Sequence, residues 1–115
     1  HQFEFVLNEL SRRLRRVYNQ VFASIGISYQ QAAALIFLDR YGSQSQNELA
    51  DRMELGKAAV AALLDRMVEA GFVRRTISKE DGRVRIVHLT PAARRILQRI
   101  NARGEEIGLS AREDI

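Results

Sequence analysis

The chain has no cysteine and no tryptophan, a single proline, and only two histidines, His1 and His88. Without cysteine there is no disulfide, no thiolate metal site and no thiol nucleophile, a composition that fits a reducing cytoplasm. No apolar run approaches the ~20 residues of a membrane span, so no membrane partner is expected. There is no P-loop, no G-x-G-x-x-G after a strand, and no His/carboxylate spacing suited to a metal, so neither cofactor nor metal is expected. Ser43 and Ser45 have no base near them in the sequence. Glu105 and Glu106 are adjacent on a helix and point in different directions, which does not suit a shared site. An enzyme or a metal sensor therefore has few residues to work with. His88, in a strand, reads as a packed or surface residue.

What is present is an ordinary globular composition: 115 residues, 46% hydrophobic and 28% charged, enough for one domain with its own core. The net charge of +4 is unevenly spread: residues 1–27 carry +2, residues 28–50 and 51–70 carry −1 each, residues 71–103 carry +7, and residues 104–115 carry −3. An excess of this kind attracts a polyanion; the alternative is a solvated basic face.

The centre of the chain, residues 45–89, reads as short helix, turn, longer helix, then two strands. Ser45-Gln46-Asn47-Glu48 is a capping box opening a helix over 45–53, with Leu49, Ala50 and Met53 inward. Leu55-Gly56 makes the turn, where glycine permits a sharp backbone change. A second helix over 57–70 buries Val60, Leu63, Leu64, Met67 and Val68. Strands follow over about 72–78 and 83–89, rich in β-branched residues and joined by a tight Asp81-Gly82 turn. A helix-turn-helix with a hairpin can lay one helix into the major groove of double-stranded DNA.

On that helix the expected DNA-facing residues are Lys57, Ala58, Ala59, Ala61, Ala62 and Arg66. Alanine can touch a thymine methyl but cannot form a bidentate hydrogen bond to a purine; helix propensity alone is the other explanation. Lys57, at the positive helix end, suits a phosphate. Ser45, Gln46, Arg75 and Arg85 extend the expected contact set. Arg83, at the hairpin tip, can reach a narrow minor groove, with Asp81 expected to hold it.

The flanks read as helices that assemble the molecule. Over residues 3–25, Phe3, Leu7, Leu10, Leu14, Val17, Val21 and Ile25 recur at steps of four and three, a coiled-coil seam that must bury itself against its own domain or a second subunit. Gly26 caps it. Ser28-Tyr29-Gln30-Gln31 is a second capping box, opening a largely buried helix over 28–41. Thr90-Pro91 reads as cap and first residue of a helix over 91–108, with Ala93, Ile96, Leu97, Ile100 and Ile107 along one stripe. Ser110 to Glu113 forms a further capping box, which suggests, with the non-Met start at His1, a chain trimmed from one that runs past Ile115.

The stretch ELADRMELGKAAVAALLDRMVEAGFVRR, the D-x-R tip at Asp81 and Arg83, and the step HLTPAARRIL together resemble the MarR family of bacterial transcriptional regulators, over about residues 28–97. The resemblance implies a mainly α fold with a small β-hairpin (an α+β winged helix), with residues 28–90 as the DNA-binding lobe and 1–27 and 91–115 as dimerisation helices. It implies a homodimer on a pseudo-palindromic operator, reading successive major grooves roughly 34 Å apart. It also implies repression relieved by a small, often aromatic, effector bound between the dimer helices and the lobe. Arg13, Arg16, Tyr18, Phe22, Phe37 and Arg40 are offered for that pocket; core or surface packing is the alternative for each. Family members that sense oxidants through cysteine cannot be matched by this chain. It departs from the pattern where Ala58, Ala59, Ala61 and Ala62 replace the usual Ser, Thr or Arg, and where Gly82 replaces an arginine. The alanines shift weight from base reading to shape, wing and phosphates. A winged-helix protein-interaction module without sequence-specific DNA binding is the second reading.

Overall fold

Ser28 and Ser45 each open a helix in the expected way. In the computed structural model, which describes residues 2–106, Ser28 Oγ accepts from Gln31 N at 3.1 Å and Gln31 Oε1 from Ser28 N at 3.0 Å. Ser45 and Glu48 make the same reciprocal pair at 3.0 and 3.1 Å. Each box satisfies two backbone donors that the first helical turn would otherwise leave orphaned. The helices are α1 (Gln2–Ile25), α2 (Tyr29–Tyr41), α3 (Gln46–Met53), α4 (Lys57–Glu69) and α5 (Pro91–Glu106), and the strands are β1 (Gln44–Ser45), β2 (Val73–Ile77) and β3 (Arg85–Leu89). The expected mainly α winged-helix architecture is the one observed. The last two residues of the expected 91–108 helix, including Ile107, and the 110–113 capping box lie outside the described residues.

The sheet has a strand that the sequence did not announce. β1 is two residues long and pairs with β3, giving an antiparallel order β1-β3-β2. Register runs from Val73 opposite Leu89 to Ile77 opposite Arg85. Period-2 alternation then turns Val73 and Val87 into the core and leaves Arg74, Thr76 and His88 on the outer face.

The core is built from α2, α3, α4 and the inner sheet face: Leu35, Leu38, Leu49, Val60, Leu63, Leu64, Met67 and Val87 are each fully buried. Burial of one such side chain stabilises by roughly 1.5–3 kcal/mol. Val68 is the exception to the expected α4 stripe and is 42% exposed. One position past Met67 turns the helix by about 100°, off the core face. Val21 and Phe22 of α1 and Leu97 and Ile100 of α5 join the same core. The amino-terminal part of the α1 seam does not: Phe3, Leu7, Leu10, Leu14 and Val17 are 77%, 51%, 52%, 43% and 38% exposed. Among the described residues, no single helix is long and apolar enough to cross a membrane.

Two local expectations are corrected. Gly56 is not the residue that turns the chain between α3 and α4. It has φ −65° and ψ 152° as the N-cap of α4, whereas Glu54 takes the left-handed conformation at φ 55°. Glu54 N–H and Leu55 N–H close back on the last carbonyls of α3, and this helix end requires the left-handed residue. Nor do β2 and β3 meet in a tight Asp-Gly turn: the loop spans residues 78–84. Ser78 Oγ accepts from Glu80 N and Asp81 N, Asp81 Oδ1 accepts from Arg83 N, and Ser78 N donates to Val84 O at 2.9 Å. The bonds made by the Ser78 and Asp81 side chains offer the loop an alternative to the two-residue turn.

Candidate nucleic-acid interface

Lys57, Ala58, Ala59, Ala62 and Arg66 are exposed on α4, and Ala61 is half-buried. Gly56 supplies no side-chain cap to α4. The first-turn N–H groups of that helix thus lack a side-chain acceptor, an arrangement suited to an anion. The amino-terminal half of the outer surface of α4 is therefore methyl groups beside Lys57, with Asp65 and Arg66 exposed further along the helix, which allows close approach of a backbone and apolar contact more than directed hydrogen bonding.

At the loop tip, the Arg83 side chain is 90% exposed and held by Asp81. Two of its nitrogens donate to the two carboxylate oxygens, Nε to Oδ1 at 3.1 Å and Nη2 to Oδ2 at 3.2 Å. The Arg83 guanidinium, and then its backbone N–H, hold the Asp81 carboxyl below its ordinary pKa. Arg85 Nη1 donates to Gly82 O at 3.2 Å, which braces the same loop.

Three residues of the expected contact set are drawn at least partly out of solvent. Ser45 is 9% exposed and its hydroxyl caps α3. Gln46 is half-buried, with Oε1 shielded and without a hydrogen-bond partner among the described residues. Arg75 donates from Nη2 to Asp65 on α4.

Of the six residues offered for an effector pocket, Phe37 alone lines the cleft described next. Arg13 pairs with Glu9, Tyr18 stacks on Phe22, Phe22 lies in the core, and Arg16 and Arg40 are exposed. The cleft, of about 440 Å³, lies among α1, α2 and the end of α3. Arg15, Tyr29, Phe37, Arg52 and Glu54 are among its walls. Arg15 stacks 4.6 Å from the Tyr29 ring centre and Arg52 3.7 Å from that of Tyr41, in contacts that hold a cation without neutralising it. Arg52 also donates from Nε to Gln44 Oε1 at 2.9 Å, and Gln44 donates to Phe37 O at 3.3 Å. A signal was available in the sequence: Tyr29, Ala33 and Phe37 recur every four residues, as do Arg15 and Asn19, and so share helix faces.

The expectation that Ser43 has no base nearby is overturned. The antiparallel pairing of β1 with β3 brings His88 Nδ1 to 2.8 Å from Ser43 Oγ, while Nε2 lies 2.8 Å from Thr76 Oγ1. Burial, then the charge of Arg74 opposite it, lowers the His88 pKa. The imidazole, on β3, sits between the hydroxyl of Thr76 on β2 and that of Ser43, the residue before β1.

A family model described as "MarR family" matches residues 25–84. The HTH-type transcriptional regulator YfiV of Bacillus subtilis is 29% identical over 112 residues, covering 88% of this chain and 70% of YfiV. The HTH-type transcriptional repressor MdtR of Bacillus subtilis is 34% identical over 65 residues, 56% of this chain and 42% of MdtR. The fold matches that of a mutant MarR from E. coli complexed with operator DNA with a TM-score of 0.82 at 21% identity, covering 88% of this chain and 72% of that one. Since the family model spans more than half of its length, the chain belongs to the MarR family.

Proposed function

We propose that this chain is a DNA-binding transcriptional regulator of the bacterial cytoplasm, acting as a homodimer and as a repressor rather than as an enzyme. Residues 28–90 are the DNA-binding lobe in this reading, and the two terminal helices join the subunits. The observation that carries it is the wing tip: an almost fully exposed guanidinium, fixed in direction by its own carboxylate, beside a reading helix with an open amino end. Lys57 and Arg66 meet phosphates, the alanines line the groove, Arg83 enters the minor groove, and the pseudo-palindrome follows from two-fold symmetry. The exposed apolar face of α1 supports the dimer, because so much contiguous apolar surface is rarely left to water. The repressor reading is supported by the description of MdtR.

Fluorescence anisotropy on duplex DNA tests the reading. Binding constants should fall steeply as salt rises, because each neutralised phosphate releases counterions. Affinity indifferent to salt, or no binding at low ionic strength, overturns it. The second reading, a protein-interaction module, is favoured by the alanine surface of α4; equal binding to every duplex, or to none, would support it.

The same reading makes the cleft an effector site. Two arginines already seated against aromatic rings suit a small aromatic anion. Glu54, in its wall, is also the left-handed residue between α3 and α4, so an occupant would press on the turn that sets the reading helix. Salicylate and benzoate titrations, read by loss of DNA binding with and without Arg52→Ala, test this.

A further inference from the structure

Asp65 and Arg75 belong to different elements of the interface, yet they face each other. Asp65 stands on the outer surface of α4 and Arg75 on β2, and Arg75 Nη2 lies 2.5 Å from Asp65 Oδ1. The Asp65 side chain is 68% exposed, whereas that of Arg75 is only 25% exposed. Arg75 Nε is shielded from solvent and has no other partner among the described residues. Arg75 stands opposite Val87, which is buried, so it lies on the sheet face that meets α4. Arg74 and Thr76, its neighbours, are on the other face. A guanidinium seated in this way is spent inside the protein and does not swing out to a phosphate.

We infer that Asp65 and Arg75 form a clamp that fixes the angle between the reading helix and the wing, and that Arg75 is a positioning residue rather than a DNA contact. The inference rests on the DNA-binding reading above. Two grooves must be met at once, one by α4 and one by Arg83. Between α4 and β2 the chain turns through Gly71 in the left-handed conformation, φ 82°. Arg75 sits mid-strand, and a strand advances about 3.3 Å per residue, so a small rotation at the clamp moves the tip much further. The clamp also accounts for a carboxylate on a surface meant for a polyanion. Alone, Asp65 would repel phosphate; paired with Arg75 its charge is cancelled on the side facing the wing.

The two roles predict opposite signs. The probe is a duplex enriched by the wild-type chain from a randomised pool, with a scrambled duplex as its control, both titrated across salt. As a clamp, Asp65→Asn weakens the enriched duplex about tenfold although it removes a repulsive charge, and leaves the scrambled one unchanged or tighter. Arg75→Gln gives the same loss of preference with the salt slope kept. The exchanged pair, Asp65→Arg with Arg75→Asp, restores most of the preference. As a phosphate contact, Arg75→Gln instead weakens both duplexes alike and lowers the salt slope by about one, and Asp65→Asn tightens binding. That pattern overturns the clamp. If a single variant fails to melt cooperatively, the exchanged pair decides: a folded exchanged protein without restored preference also overturns it. If the wild-type chain enriches no duplex, the DNA-binding reading itself falls.

Discussion

The Arg83 guanidinium grips both oxygens of the Asp81 carboxylate, with contacts at 3.1 and 3.2 Å, and the Arg83 backbone N–H donates to the same carboxylate at 3.0 Å. A pair this exposed adds little to stability; what it supplies is direction. Arg83→Ala should weaken DNA binding by about 10–100-fold with an unchanged melting temperature. Asp81→Ala should weaken it by about 3–10-fold, although a negative charge has been removed. Anisotropy titration beside a thermal melt checks both. Equal or tighter binding by Asp81→Ala would mean that Arg83 needs no support.

The same pair makes a statement about pH. The folded-state pKa of Asp81 is lowered from 3.8. Its contribution is therefore complete above that value and disappears only as pH falls through the lower folded one. The wing should keep its shape across the whole range from pH 5 to 8, so any change in DNA binding there should survive in Asp81→Asn. Matched titrations of both proteins at the two ends of that range measure this.

Much of this fold is legible because its signals are local. The boxes at Ser28 and Ser45, the left-handed cap at Gly26 and the Thr90 cap each depend on a few neighbouring residues. The misses share a different cause. β1 exists only because β3 lies beside it, and a two-residue strand has no periodicity to read. The long loop of residues 78–84 was hidden because the Ser78 hydroxyl and the Asp81 carboxylate bond loop backbone N–H groups and so favour a wider connection than the two-residue turn. At the site, Arg83 and Lys57 follow from position in the motif. The Arg75 contact with Asp65, the Ser43 contact with His88, and the stacking of Arg52 on Tyr41 are tertiary; the sequence names both partners without saying that they meet.

Glu54 gives a test of local strain. A left-handed conformation costs a residue bearing a Cβ about 1 kcal/mol relative to glycine, and a Cβ-free residue at this helix end is the common solution. Glu54→Gly should stabilise the protein by about 0.5–1 kcal/mol, the sign being set by strain relief in the folded state against extra freedom in the unfolded one. Urea unfolding midpoints compare the two. A destabilised variant would show that the Glu54 side chain makes a contribution larger than the strain.

The exposed α1 seam carries the subunit contact in the proposed dimer. Leu10, 52% exposed, and Leu14, 43% exposed, lie in its middle. A carboxylate there would be desolvated without a partner on association. Leu10→Asp should weaken the dimer at least 100-fold, a hot-spot cost of about 3 kcal/mol, and should lower DNA affinity by breaking the two-site arrangement. The lobe should stay folded, since Leu10 does not belong to its core. Sedimentation velocity at about 10 μM, in the range where a dimer of nanomolar affinity is fully formed, separates the outcomes. A monomeric wild-type chain would remove the proposed assembly.

The surroundings of His88 tie stability to pH near neutrality. Burial, and then the charge of Arg74, lowers its pKa from 6.5. For a histidine this means that the unfolded chain binds the proton more readily than the folded one. Stability is therefore fully present above 6.5, declines as pH falls from there to the lower folded-state value, and levels off below it. The bridge to Ser43 and Thr76 does not reverse the sign, because each hydroxyl can accept as well as donate. The urea midpoint of the wild-type chain should drop between pH 7.5 and 5.5, and His88→Gln should flatten that drop while keeping a polar side chain at the centre of the sheet. Parallel profiles for the two proteins would place the pH dependence elsewhere in the molecule.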